Sequence, residues 1–260
     1  MLWSVVAAVN DEQILNSCLL RSPDIELAAD IILQKGYVSA AEAYNAGIRK
    51  SKGEIVLLVH QDVYLPAAWI DHVRRAIGSI SARDPNWGVV GVYGVKDDGG
   101  HAGYVYDYRT LGEQFEGGIE VAVLDELLLI LRHSSGLLFD ESLPGFHMYG
   151  ADICLEARRR GMKSYAVSAF CIHNSPESKM PLEFWKAYLF MRRKWKSQLP
   201  IKTTCTEITR FCWPMVQWNI YNAVLLAFGG KKTCVRRERV PDPSLLYQSL
   251  LRQISARDAR

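Results

Sequence analysis

Over the first hundred residues, short runs rich in Val and Ile alternate with segments of helical period, and this alternation restricts the chain to βαβ units on a mostly parallel sheet. Strands are expected at 3–9, 29–33, 55–59 and 88–95. Ile70, Val73, Ile77 and Ile80 recur at helical spacing, which predicts a helix over 67–81 with that stripe on the sheet. Residues 39–50 fit a second helix. Past Asp97-Asp98-Gly99-Gly100 the strict alternation ends, and 104–108 with 117–123 read as a hairpin or an excursion from the sheet. A strand at 127–131, a helix from about Asp152 to Arg160 closed by Gly161, and a strand at 164–170 follow. Helices are expected at 182–196, at about 215–227 and near 244–254. The organisation is an α/β domain over 1–178 with a helical, basic extension over 179–260.

Of the 260 residues, 49% are apolar or aromatic and 23% charged, which excludes disorder and leaves enough chain for a true core. Six cysteines without a C-x-x-C pair read as reduced core residues in a reducing compartment. The net charge of +3 points to no nucleic acid partner, but residues 231–260 alone carry +5 and the remainder −2. Nothing at the start reads as a signal peptide, and the apolar stretch 213–230 is interrupted by Pro214, Gln217, Asn219 and Asn222, which argues against a spanning helix. The expected location is cytoplasmic. The basic tail beside that Trp-containing stretch offers either peripheral contact with an anionic membrane or a helix packed on the domain with a solvated tail.

The chain lacks G-x-x-x-x-G-K-[ST], G-x-G-x-x-G, H-E-x-x-H and G-x-S-x-G, so a nucleotide would have to be held without a phosphate-cradling loop. An alternative is a carboxylate at the carboxyl end of a parallel strand, where open α/β sheets bind ligands. Five apolar residues, Ile55–Val59, end abruptly in His60-Gln61-Asp62. Asp62 either enters the crevice as a ligand for a divalent cation bound to diphosphate, or caps a helix beginning near Pro66.

In their order these segments resemble the GT-A glycosyltransferases of glycosyltransferase family 2, from Ser4 to about Ser175. Ser4–Glu12 looks like the first strand and its nucleotide-contacting turn. Ser39–Ile48 followed by Lys52-Gly53-Glu54 is similar to the family's helix and the Gly-Glu entering its metal-motif strand. His60-Gln61-Asp62 falls where the family carries D-x-D. Gly145–Asp152, with Arg158-Arg159-Arg160-Gly161 after it, looks like the family's acidic helix start.

The resemblance implies a nucleotide-diphospho-sugar transferase fold and an inverting, metal-dependent transfer of a sugar from a nucleoside-diphosphate donor to a glycan or other hydroxyl acceptor. It places Val9, Asn10, Tyr44, Asn45 and Asp62 against the donor, with Gln34 at the nucleobase. It gives Asp62 and His173 to Mn²⁺ or Mg²⁺, of which Mn²⁺ better suits a nitrogen ligand. Asp152 becomes the base, held at a helix N-terminus, although a helix-start carboxylate without chemistry is the plainer alternative. Asp125 and Glu126 either face sugar hydroxyls or form a solvated turn, and Glu126 stands where the family often has Gly; His147 joins them on the sugar side. Arg192, Arg193 and Lys194, in a helix placed like a lid, are phosphate candidates. Rival readings are a catalytically silent nucleotide-sugar or glycan-binding module and a nucleotidyltransferase, though 9–13 lacks the latter's Gly- and Arg-rich loop.

Overall fold

The computed structural model describes residues 1–175, 182–227 and 238–258. Its first half comprises β1 (Trp3–Val9), α1 (Glu12–Ser17), β2 (Asp30–Lys35), α2 (Ala40–Ile48), β3 (Ile55–Val59), β4 (Val63–Tyr64) and α3 (Trp69–Arg83). There follow β5 (Val89–Gly91), β6 (Tyr93–Val95), β7 (His101–Asp107), β8 (Arg109–Gly112), β9 (Ile119–Val121), β10 (Val123–Leu124), β11 (Leu128–Arg132), α4 (Tyr149–Arg159), β12 (Ser164–Ala166) and β13 (Cys171–His173). Beyond them lie α5 (Leu182–Lys194), the hairpin β14 (Ile201–Lys202) and β15 (Glu207–Ile208), α6 (Trp213–Ala227) and α7 (Pro243–Asp258).

A seven-stranded sheet runs β2-β1-β3-β11-β5-β12-β9. Five strands share one direction and only β11 and β9 oppose them, as a mostly parallel α/β sheet requires. The register sets Val5 beside Leu57 and Leu57 beside Ile130, all without exposed surface. The stripe Ile70, Val73, Ile77 and Ile80 of α3 is buried in the same core as expected, and α2 packs so closely on β1 that a Cβ at Gly47 would meet Val6 Cγ1 at 2.1 Å.

A second sheet, β10-β6-β7-β13-β4, stands over the carboxyl ends of these strands. Three apolar runs that read as single strands divide between the two sheets: β5 passes into β6 at Val92, β9 into β10 at Ala122, and β12 leads on to β13. In β5–β6 continuous apolarity hides the break, because Val89–Gly91 and Gly94-Val95 are buried alike. Residues 184–208 share the core of the domain through Trp185, Tyr188, Met191 and Ile201. Among the described residues the cysteines are free thiols, with Cys18, Cys154 and Cys171 buried as expected; Cys234 lies outside the described residues.

Candidate active site

At the end of β3 the chain turns sharply, His60 N–H donating to Leu127 O and Val63 N–H to His60 O. The short β4 then pairs antiparallel with β13, setting His173 opposite Val63, next to Asp62. One ligand atom from each of His60, Asp62 and His173 lies within 4.8 Å of the others. Asp62 therefore takes the crevice position and not the helix cap. The cap of α3 is Ala68, whose N–H is bound by Asp24 Oδ2 at 2.6 Å.

Second contacts aim both imidazoles. Tyr149 spends its one hydroxyl hydrogen on Glu126 O at 2.9 Å, so His60 Nε2, 2.7 Å away, must donate to that oxygen. This leaves the His60 Nδ1 lone pair facing Asp62 Oδ1, 4.0 Å distant. His173 Nδ1 sits 3.5 Å from the Asp107 carboxylate, and its Nε2 lies 3.5 Å from Asp62 Oδ1. A carboxylate behind a histidine is the usual support for a metal ligand. Burial pushes His60 down to about 4, partly offset by Asp62, so it is neutral at pH 7. Burial also opposes charge on His173, but Asp62 and Asp107 outweigh it and hold its pKa at about 10. For Asp62, burial raises the pKa while His173, His60 and Arg239 together force it well below the carboxylate range. His60 and the ionised Asp62 offer lone pairs as they stand, and His173 joins them once a cation displaces its Nε2 proton; the three then form a donor set suited to Mn²⁺ or a similar divalent cation.

His60 and Asp62 line a cavity of about 1000 Å³, together with Val9, Asn10, Gln34, Tyr37 and Phe146, while His173 stands behind Asp62. Gln61 shapes its turn: Oε1 accepts the N–H groups of Asn10 and Asp11 at 3.0 and 3.1 Å. Gln34 is 4% exposed and its Nε2 has no hydrogen-bond partner among the described residues, a buried donor beside open space. Arg239, from the basic tail, also lines the cavity and reaches Asp62 Oδ2 at 3.4 Å.

Other expected residues are placed elsewhere. Tyr44 and Asn45 do not line the cavity; each is 1% exposed. Tyr44 packs against Phe139 and Tyr149, and Asn45 clamps the Phe139 backbone through both ends of its amide. Asp125 is engaged by Leu127 N–H and by Thr204 Oγ1 at 2.6 Å. His147 packs edge-on against Phe184, and burial lowers its pKa. None of the expected phosphate cations of α5 lines the cavity. Arg192 donates to Arg210 O, Arg193 lies over Phe190, and Lys194 pairs with Asp140 and Asp152.

Asp152 lies in the first turn of α4, which begins three residues before the expected start, at Tyr149. Its residue is 1% exposed, with Oδ2 bound to Lys194 Nζ at 2.8 Å and Oδ1 to Trp195 Nε1 at 2.7 Å. Burial raises its pKa against the pull of Lys194. With both oxygens held by α5 and its end, this carboxylate ties α4 to α5 and presents neither oxygen to the cavity.

A mostly parallel sheet with a carboxylate–imidazole cluster and an open crevice at its strand ends defines a GT-A fold. GalNAc-T7, solved with UDP, GalNAc and Mn²⁺, shares that fold at a TM-score of 0.52 and 13% identity, over 76% of this chain and 49% of its own. The family model described as "Glycosyltransferase like family" matches residues 4–191, and the chain belongs to that family. Also similar are the S. aureus TarS fragment solved with UDP-GlcNAc, at a TM-score of 0.44 and 13% identity over 75% of this chain and 66% of its own, and "ATP synthase subunits region ORF 6" of Fuscovulum blasticum. The latter is 29% identical over 162 residues, 58% of this chain and 63% of that protein. The chain thus spans about half of GalNAc-T7 and under two thirds of the curated relative.

Proposed function

We propose that this protein is an inverting, metal-dependent glycosyltransferase that moves a sugar from a nucleoside-diphosphate donor to a hydroxyl acceptor. The observation that carries the reading is the His60–Asp62–His173 cluster, two of whose members, His60 and Asp62, line the 1000 Å³ cavity. A divalent cation held by these three would neutralise charge on the departing diphosphate. Arg239, already in the cavity, would add a second cation to the phosphates. Gln34 supplies an unpaired amide donor for a carbonyl on the nucleobase edge, and the Asn10 turn, fixed by Gln61, borders the nucleoside. GalNAc-T7, solved with UDP, GalNAc and Mn²⁺, supports this choice of ligand class.

Calorimetric titration with UDP and GDP, with and without Mn²⁺, tests the reading. Binding that needs the metal and disappears in Asp62→Ala is expected; equal affinity in Asp62→Ala removes the cluster from the site. The sequestration of Asp152 favours one rival, a module that binds donor without transferring it. Release of nucleoside diphosphate from UDP- and GDP-sugars in the presence of acceptor decides between them.

The protein also carries an exposed apolar surface. No described helix is long and apolar enough to cross a membrane, yet Phe211 and, on α6, Trp213, Ile220 and Val224 are exposed. Arg210, the residue before Phe211, is exposed, as are Arg193 and Lys196. Peripheral attachment to an anionic membrane follows from this pairing of apolar and basic groups. Flotation with vesicles containing phosphatidylserine should recover the protein better than neutral vesicles do; equal recovery refutes it.

A further inference from the structure

Successive side chains of a strand point to opposite faces of its sheet, so Tyr104 and Asp107 of β7 stand on opposite faces of the second sheet. Asp107 backs the metal cluster through His173. Tyr104 lines a separate cavity of about 630 Å³, a volume typical of small-molecule sites. The sequence keeps this space open. Gly112 of β8 pairs with Tyr104, so no side chain covers that flank of the tyrosine ring. None could be added, because Gly112 has a φ of +74° and a Cβ there would collide with Gly103 O. The same close approach turns the chain back after β8, Glu113 N–H donating to Gly103 O at 3.1 Å, and brings Glu113 and Gln114 to the cavity. On the other flank the Phe170 ring centroid lies 4.8 Å from that of Tyr104 and 5.9 Å from that of Tyr247 on α7. These rings all line the cavity, and Trp69, whose Nε1 is spent on Ala169 O, adds its own.

We propose that this cavity binds a neutral carbohydrate, at a site separate from the donor crevice. The site stands on its own lining and needs no transferase activity. A pyranose ring presents C–H groups on its faces and hydroxyls around its edge, so it fits where aromatic carbon and hydrogen-bonding groups lie side by side. The aromatic wall supplies the first. Tyr104, Tyr247, Thr110, Glu113 and Gln114 supply the second, and among the described residues none of these side chains has a hydrogen-bond or ion-pair partner. The Glu113 carboxylate accepts, while the Gln114 amide both donates and accepts, as neighbouring hydroxyls require. A purely apolar ligand would cover these groups and leave them unpaired, at a cost in free energy. An anionic ligand fits no better. Lys35 and Arg239 line the donor crevice, whereas neither Lys nor Arg is among the described residues of this cavity, where a phosphate would meet Glu113 with no cation to balance it.

The test is saturation-transfer NMR and calorimetry on the full chain, with cellobiose, maltose, lactose, mannobiose and N,N′-diacetylchitobiose as probes. At least one should bind in the absence of nucleotide and metal, so the outcome is independent of the transferase reading. Its affinity should be unchanged by saturating UDP and Mn²⁺, and the 6-phosphate of the same sugar should bind more weakly. Combining Glu113→Ala with Gln114→Ala alters two exposed side chains and should weaken binding about 10-fold, the worth of a pair of hydrogen bonds. Tyr247→Ala removes one ring of the wall and should weaken it by a similar factor, while Tyr247→Phe, which keeps the ring, should retain most of the affinity. Failure of every probe to bind overturns the proposal, as does tighter binding of the phosphate. Competition by UDP and Mn²⁺, or full affinity in both the Glu113/Gln114 variant and Tyr247→Ala, would put the sugar elsewhere and overturn it as well.

Discussion

The Asn174 side chain exchanges two hydrogen bonds with the backbone of Val240, Nδ2 donating to Val240 O at 2.9 Å and Oδ1 accepting Val240 N–H at 2.8 Å. This clip brings a tail segment to the cavity, which Arg239 lines. Arg239, one residue earlier, is thereby fixed between Asn174 O and Asp62 Oδ2. Asn174 N–H also binds Asp62 O at 2.8 Å, so the same residue ties the tail to the metal cluster.

From this arrangement Arg239→Met should have two effects of opposite sign. Mn²⁺ alone should bind more tightly, because a cation 3.4 Å from Asp62 is removed. UDP or GDP in the presence of Mn²⁺ should bind about 10- to 100-fold more weakly, since a hydrogen bond to a charged group contributes about 1.5–3 kcal/mol. Calorimetric titrations measure both, and unchanged nucleotide affinity would take Arg239 out of the phosphate site.

Asp107 touches the proposed metal only through His173. Asp107→Asn is expected to lower Mn²⁺ affinity about 10- to 100-fold, the common worth of a supporting carboxylate. A variant that binds Mn²⁺ as well as wild type shows that His173 needs no such support.

The strand–crevice logic was legible in the sequence because it is local: β1 and β3 fall where their apolar runs end, and Asp62 follows directly. His173 is reached through resemblance, and the β4–β13 pairing sets it opposite Val63, next to Asp62. His60 is a ligand candidate that reading D-x-D as carboxylates passed over, although its position before Gln61-Asp62 was the available signal. Arg239 had none, for it arrives through a fold contact with Asn174, 65 residues away. Tyr44 and Asn45 carried a pattern whose local role is packing, and only the tertiary structure shows their side chains turned into the core. The role of Asp152 depends on contacts from α5, and Glu126 is buried over the first turn of α4, where the N–H groups of Met148 and Gly150 act on its carboxylate; no spacing encodes either.

If Asp152 is a tie between helices, its loss should appear as instability. Lys194 Nζ lies 2.8 Å from Asp152 Oδ2, whose side chain is 1% exposed. Lys194→Met would leave a buried carboxylate with Trp195 alone, and breaking such a pair costs about 3–5 kcal/mol. Asp152→Asn should be destabilised as well, with nucleotide affinity retained. Chemical denaturation measures the loss. A fully stable Asp152→Asn that has lost transfer would return the base to Asp152.

The burial of Glu126 makes a prediction that needs no substrate. Its folded-state pKa, about 8, stands above the reference value of 4.5. Between those values the unfolded chain has already released a proton that the folded chain keeps. Stability must therefore fall as pH rises from about 4.5 to about 8, and level off above it, as far as this group is concerned. Glu126→Gln removes the titration while preserving size, so its stability should decline less over the same range, and the difference between the two proteins should grow in favour of the variant as pH increases. A solvated turn glutamate would behave otherwise: its pKa would match that of the unfolded chain, and the two stability curves would run parallel. Urea denaturation of both proteins at intervals from pH 5 to pH 9 separates the cases, and parallel curves would mean that the Glu126 carboxylate is not buried in the folded chain.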